Sequence, residues 1–206
     1  MASIKIHGLP PSSFTRTVRL GCHEKGVAYE LVEAMPHSIE ALNPFRKIPV
    51  ITHGEVTLFE STAILRYLDR AFPGPKLWPE EVVAAALCDQ WVSAVCDSLV
   101  NAALRYMAAR FGFLPVPAEM AQTYLDKTAE VVPIFDRQLG RHRFLAGEVL
   151  TAADLFLYPI YAYFPDIAEL RVIADKAPSC DRWAREMAAR PSVKATESAF
   201  KPQIAA

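Results

Sequence analysis

The chain has 206 residues, 52% of them hydrophobic and 22% charged, a balance that buries a substantial core and excludes a largely disordered chain. The formal net charge is −1, with 8 Lys+Arg against 7 Asp+Glu before residue 75 and 14 against 16 after it, so neither nucleic acid nor a membrane surface is expected as a partner. The opening MASIKIHGLPP has no signal-peptide core and the uncharged run from Leu155 to Pro165 is too short to span a bilayer, which reads as a soluble, cytoplasmic protein.

In chain order, Ile4 to His7 reads as a strand broken by Gly8-Leu9-Pro10-Pro11. A helix is expected from about Phe14 to Lys25, with Gly26 as its stop, and a second strand over Tyr29 to Val32. That β-α-β unit favours parallel pairing. After a looser segment, Glu33 to Asn43, come two strands, Pro49 to Thr52 and Val56 to Phe59, joined tightly through His53-Gly54. From Ser61 the pattern is helical, with Ile64, Leu65, Leu68 and Phe72 on one face, until Pro73-Gly74-Pro75 ends it.

Beyond Pro75 no strand signal remains. Val83 to Arg110 is one long helical pattern with Leu87, Trp91, Val95 and Leu99 at i+4. Ala118 to Leu139 is a second helix, expected to kink at Pro133. Shorter helices are expected over about Ala152 to Tyr163, Ile167 to Lys176 and Cys180 to Ala189. The chain therefore divides into an α/β part, residues 1–75, and an all-α part, residues 76–206, with Pro and Gly concentrated at the boundary.

Four segments carry candidate chemistry. Ser12 and Ser13 precede a helix, where first-turn amides lack intrahelical partners and favour an anion; a hydroxyl there donates to a thiolate or simply caps the helix. In Lys47-Ile48-Pro49, a cis bond before Pro49 would turn the backbone of Ile48 toward a bound peptide, whereas an ordinary strand-start proline would do nothing. Glu60-Ser61-Thr62 offers a carboxylate for an ammonium beside helix-start amides for a carboxylate, the two halves of an amino acid head group, with Ser61 as the expected cap. Thr151-Ala-Ala-Asp154 is a capping box and is read as structural. The cysteines, Cys22, Cys88, Cys96 and Cys180, are scattered, with no CxxC and no metal spacing, and read as buried thiols in a reducing compartment.

No single segment is decisive, but their order is. Ser12 with Arg16, Asn43-Pro44-Phe45 leading into Lys47-Ile48-Pro49, Glu60-Ser61-Thr62-Ala63-Ile64, and Gly147 followed by Thr151-Ala-Ala-Asp154 together resemble the cytosolic glutathione transferases, serine-type, over almost the full length. The resemblance implies a thioredoxin-like glutathione-binding domain followed by an all-helical domain. It implies that Ser12, or Ser13 if the loop is shifted by one, activates the glutathione sulfur as a thiolate. It gives a cis Pro49, backbone pairing of Ile48 with the cysteinyl unit, Glu60 and Ser61 for the γ-glutamyl head, and Lys47 for the glycyl carboxylate. His37 is the candidate for the histidine that contacts the glycyl end, although it stands closer to Asn43 than the family spacing. A pocket for a hydrophobic electrophile is expected from Leu9, Phe14, Tyr106, Met107, Arg110, Phe111 and Phe113, residues that ordinary packing also explains. Glutathione is then a co-substrate, with no metal and no resident cofactor. A homodimer follows from the resemblance and the long apolar helix, with Asp97 reaching the partner's glutathione. The alternatives are another glutathione-dependent enzyme (isomerase, dehalogenase, ether cleavage) or a non-catalytic binding protein.

Overall fold

The computed structural model describes residues 3–199. They form two compact units, residues 3–80 together with 190–199, and Glu81–Ala189.

The first unit holds β1 (Ile4–Gly8), α1 (Ser13–Lys25), β2 (Tyr29–Glu33), β3 (Val50–His53), β4 (Val56–Phe59) and α2 (Ser61–Ala71). The sheet order is β2-β1-β3-β4, with β1 parallel to β2 and antiparallel to β3, and β3 antiparallel to β4. This is the expected thioredoxin-like plan. Its core sets Ile4, Ile6, Val50 and Ile51 of the sheet with Val18 and Leu20 of α1 and Ile64, Leu65 and Leu68 of α2, all fully buried. The helices approach closely at Gly21, where a Cβ would lie 2.2 Å from Leu65 Cδ2. Gly26 ends α1 at φ 67, a left-handed conformation that costs glycine little.

The division falls after Glu80 rather than at 75. Asp69 on α2 explains this: its carboxylate accepts from the amides of Leu77 (2.8 Å) and Trp78 (3.4 Å). Buried Lys25 lies 3.1 Å from the same carboxylate and also donates to Pro75 O. The expected helical part, 76–206, also loses residues 190–199 to the first unit. There a short helix, α9 (Pro191–Ala195), lies on α1. Glu24 accepts two bonds from Arg190 (2.9 and 2.7 Å), and Arg16 and Arg19 donate to the carbonyls of Val193, Ala195 and Thr196.

The second unit is helical. α3 (Val82–Ala94) runs through a π-helical stretch, Val95–Leu104, into α4 (Arg105–Arg110). α5 (Ala118–Leu139), α6 (Ala152–Tyr161), α7 (Ala168–Ala174) and α8 (Pro178–Ala188) follow, and α5 continues through Pro133. The buried line of the long rod is Cys88, Val92, Val95, Leu99, Tyr106 and Met107, while Leu87 is 42% exposed. A strict i+4 row drifts by about 40° per step around an α-helix, so the row begun at Leu87 meets the core only at Val95 and Leu99. Val82–Arg110 is long and apolar enough to cross a membrane by length and composition alone, and little of its most apolar stretch is buried. Asp89, Asp97 and Arg105 interrupt it, so it holds no uncharged run long enough to span a bilayer.

α6 is buried along its whole length. Asp154 anchors it, accepting from Leu145 N and Trp183 Nε1 (both 2.9 Å), from Thr151 N (3.0 Å) and from Thr151 Oγ1 (3.3 Å). Thr151-Ala-Ala-Asp154 is thus a capping box, as its spacing indicates.

Candidate active site

The strand register assembles the site. Val50 pairs with His7 on one side and with Phe59 on the other, and Gly8 pairs with Glu33. The loop after β1, the turn before β3 and the junction after β4 therefore leave the same end of the sheet, and so does the segment that carries His37. Ser12, Pro49 and Glu60 are brought to one edge by pairing alone.

At the first corner Ser12 is the N-cap of α1, which begins at Ser13 rather than Phe14. Its amide donates to Leu9 O (3.1 Å), its carbonyl accepts from Arg16 N (2.8 Å) and its Oγ accepts from Thr15 N at 3.3 Å. A hydroxyl has one proton to give and room to accept twice, so capping leaves the Ser12 proton available to a sulfur. The cap and the thiolate donor are compatible roles of one side chain. Ser12 is half-buried, whereas Ser13 is 7% exposed and its carbonyl is taken by Thr17 Oγ1. The Arg16 guanidinium turns away to Val193 O (3.3 Å) and Thr196 Oγ1 (3.5 Å).

At the second corner the Ile48–Pro49 bond is cis. The turn that leads to it is tied by Asn43, 1% exposed: Nδ2 donates to Lys47 O (2.8 Å), while Oδ1 accepts from Phe45 N (3.0 Å) and the carbonyl from Arg46 N (2.9 Å). Lys47 is exposed, Ile48 half-buried and Pro49 buried. Asn43 carries part of the family resemblance, but nothing in the sequence alone indicates its knotting role.

At the third corner Glu60, not Ser61, is the N-cap of α2, and its side chain makes no capping bond. Its φ of 66 and ψ of 111 lie where non-glycine residues are rare, and strain of this kind collects at functional sites. Its carbonyl accepts from Ile64 N (2.9 Å). Ser61, 9% exposed, is the first helical residue, and its amide and that of Thr62 open a first turn without intrahelical acceptors. His37 lies exposed in a single 3-10 turn, Pro36–Ser38.

Of the residues expected around the electrophile, Leu9 and Phe14 of the first unit are half-buried. In the helical unit, Tyr106 and Met107 are buried, Arg110 and Phe111 half-buried and Phe113 exposed. The Phe111 ring centroid is 5.9 Å from that of Tyr163 and 6.3 Å from that of Phe113. Tyr106 donates to Glu169, whose carboxylate is 3.5 Å from the Arg110 guanidinium. Burial first, and then Glu169, pushes the Tyr106 phenol up to about 12, so it stays protonated at neutral pH. No spacing rule links Glu169 or Tyr163 to Tyr106 and Phe111, so the sequence alone carries no signal for them. Cys22, nearest in sequence to Ser12, is wholly buried and its thiol is raised to about 12, which removes it as a nucleophile. Among the described residues no group of three or more His, Cys, Asp or Glu is placed to hold a metal.

Comparison with known proteins identifies the family and the fold. Residues 6–76 match the glutathione S-transferase N-terminal domain and residues 95–191 the C-terminal domain. Glutathione S-transferase F14 of Arabidopsis thaliana is 30% identical over 186 residues, covering 82% of this chain and 73% of that protein. The crystal structure of poplar glutathione transferase F1 matches with a TM-score of 0.86 at 26% identity, over 95% of this chain and 97% of that one. The structure of a glutathione S-transferase-I bound with lactoylglutathione matches with a TM-score of 0.82 at 25% identity, over 95% and 98%. The chain belongs to the glutathione S-transferase family and is a serine-type, phi-like glutathione transferase.

Proposed function

We propose that the chain binds glutathione along the sheet edge and activates it as a thiolate through the Ser12 hydroxyl, for attack on a hydrophobic electrophile. The observation that carries this is the state of Ser12, half-buried at the N-terminus of a 13-residue helix with its oxygen fixed by Thr15 N and its proton uncommitted. Glu60 takes the γ-glutamyl ammonium, the amide and hydroxyl of Ser61 take the carboxylate, the Ile48 backbone beside Pro49 pairs with the cysteinyl unit, and Lys47 and His37 serve the glycyl end. For the electrophile, the first unit contributes Leu9 and Phe14, and the helical unit Tyr106, Met107, Arg110, Phe111 and Phe113. Glutathione is the co-substrate and no other cofactor is invoked. Among the described residues Cys22, Cys88, Cys96 and Cys180 form no disulfide, in keeping with a reducing cytoplasm. The working form is a homodimer, whose second copy covers the exposed apolar start of α3.

The energetics suffice. A free thiol has a pKa near 8.5, and lowering it by about two units takes roughly 2.7 kcal/mol of preference for the anion. One charge-assisted hydrogen bond supplies about 1.5–3 kcal/mol and a helix N-terminus about 0.3–1 kcal/mol. The test is ultraviolet titration of bound glutathione in Ser12→Ala. The thiol pKa should rise by about one to two units, and turnover at neutral pH should fall with partial recovery at high pH. A pure cap would instead lose about 1 kcal/mol of stability and leave the thiol pKa unmoved. In that case the same titration on Ser13→Ala decides whether its neighbour holds the role.

A further inference from the structure

Arg110 is the one cation among the residues assigned to the electrophile, yet a hydrophobic electrophile has no use for an unbalanced guanidinium. Within the helical unit that charge is met by Glu169, in the first turn of α7, with Nη2 to Oε1 at 3.5 Å. The same carboxylate accepts the Tyr106 hydroxyl, one turn before Arg110 on α4. Glu169 thus engages two of the three polar heads of α4 at once: it balances the Arg110 guanidinium and occupies the Tyr106 phenolic proton, while Arg105 donates to Asn101. The rings of Phe111, Tyr163 and Phe113 pack edge to face beside them. The side chains of Arg110 and Glu169 are 27% and 39% exposed, so the pair is partly shielded from water, and its charges act over a longer range than those of a fully solvated pair.

We propose that Glu169 is a specificity-determining residue that masks Arg110 and holds Tyr106, so that the enzyme selects uncharged aromatic electrophiles over carboxylated ones. This rests on the assignment of Tyr106 and Arg110 to the electrophile. Selectivity of this kind comes from the difference between two affinities, and one carboxylate facing an anionic substrate supplies the repulsive half of that difference. The chemistry itself is unchanged: the thiolate sulfur bonds to the ring carbon that bears chlorine, and chloride leaves with the electron pair of the broken bond.

A matched pair of aryl chlorides tests the idea, 4-chloro-3,5-dinitrobenzoate and its methyl ester, both conjugated with glutathione. Glu169→Gln removes the charge at constant shape, and its acid-to-ester ratio of kcat/KM should rise about three- to tenfold over the wild type, as expected for one partly shielded charge pair. Glu169→Asp should keep the wild-type ratio, and Arg110→Gln on the Glu169→Gln background should bring the ratio back. Glu169→Ala is a second route to the same unmasking should the glutamine variant fold poorly. An unchanged ratio in both neutral variants, with ester turnover and the glutathione thiol pKa intact, overturns the role of Glu169 and leaves thiolate activation standing. A wild type that ionises glutathione yet turns over neither chloride overturns the electrophile assignment and this proposal with it.

Discussion

In the proposed role, Glu60 serves binding at the expense of stability. Its φ of 66 would suit glycine, whereas a side chain there strains the backbone by about 1–3 kcal/mol. Glu60→Gly should therefore keep or raise the melting temperature while weakening glutathione binding by about tenfold or more, because a charged hydrogen bond to the ammonium is worth about 1.5–3 kcal/mol. Calorimetric titration beside thermal unfolding checks both halves. Equal loss of stability and affinity would show that Glu60 is only structural. Ser12 was legible in the sequence because small polar residues before a helix are conspicuous. The opposite holds for Asn43, whose work depends on which carbonyl its amide reaches across the turn, and for Glu169, whose partners lie on a helix far away in sequence.

At the scale of elements, strands and helix limits were readable where punctuation is strong: Gly26 after α1, His53-Gly54 between β3 and β4, Pro73 after α2. The short α9 was missed, since five residues carry too little periodicity to stand out. On α3 the buried residues are Cys88 and Val92, one position on from Leu87 and Trp91, and spacing alone does not say which of two adjacent rows meets a neighbour. The capping box of α6 makes a pH-dependent contribution whose sign can be worked out. Burial raises the Asp154 carboxyl to about 6, with its four donors only partly offsetting that cost. A group raised in the folded state stabilises fully below its unfolded value, near 4, and that contribution is lost as the pH rises through about 6. The stability of the wild type relative to Asp154→Asn should therefore grow as pH falls from 7 to 4, by at most about 3 kcal/mol. Denaturant unfolding of both proteins at matched pH measures it, and a flat difference would mean that the hydrogen bonds hold the carboxylate ionised throughout.

Across the whole molecule, the family assignment needed the order of motifs rather than any one of them, and the site came from an end of the sheet that only strand pairing defines. The proposed dimer belongs to this scale. Val82 and Val83 are 79% and 63% exposed at the start of a rod that is apolar on more than its buried side. Light scattering at micromolar concentration should give twice the 22.9 kDa chain mass, and Val82→Glu with Val83→Glu should shift it toward one chain. A wild type that scatters as 22.9 kDa alone rejects the dimer.

The docking of residues 190–199 on α1 changes what the chain's connectivity means. The first unit is built from two stretches of chain, residues 3–80 and 190–199, and the helical unit is carried as an insert between Glu80 and Arg190. A protease that nicks the Pro73–Glu80 connection cuts one tether of two. The helical fragment would still hold the first unit through its own tail, by way of Arg190, Ser192 and the carbonyls that Arg16 and Arg19 grip. The second tether is non-covalent, made of hydrogen bonds and the Arg190–Glu24 ion pair, and it ends on α1.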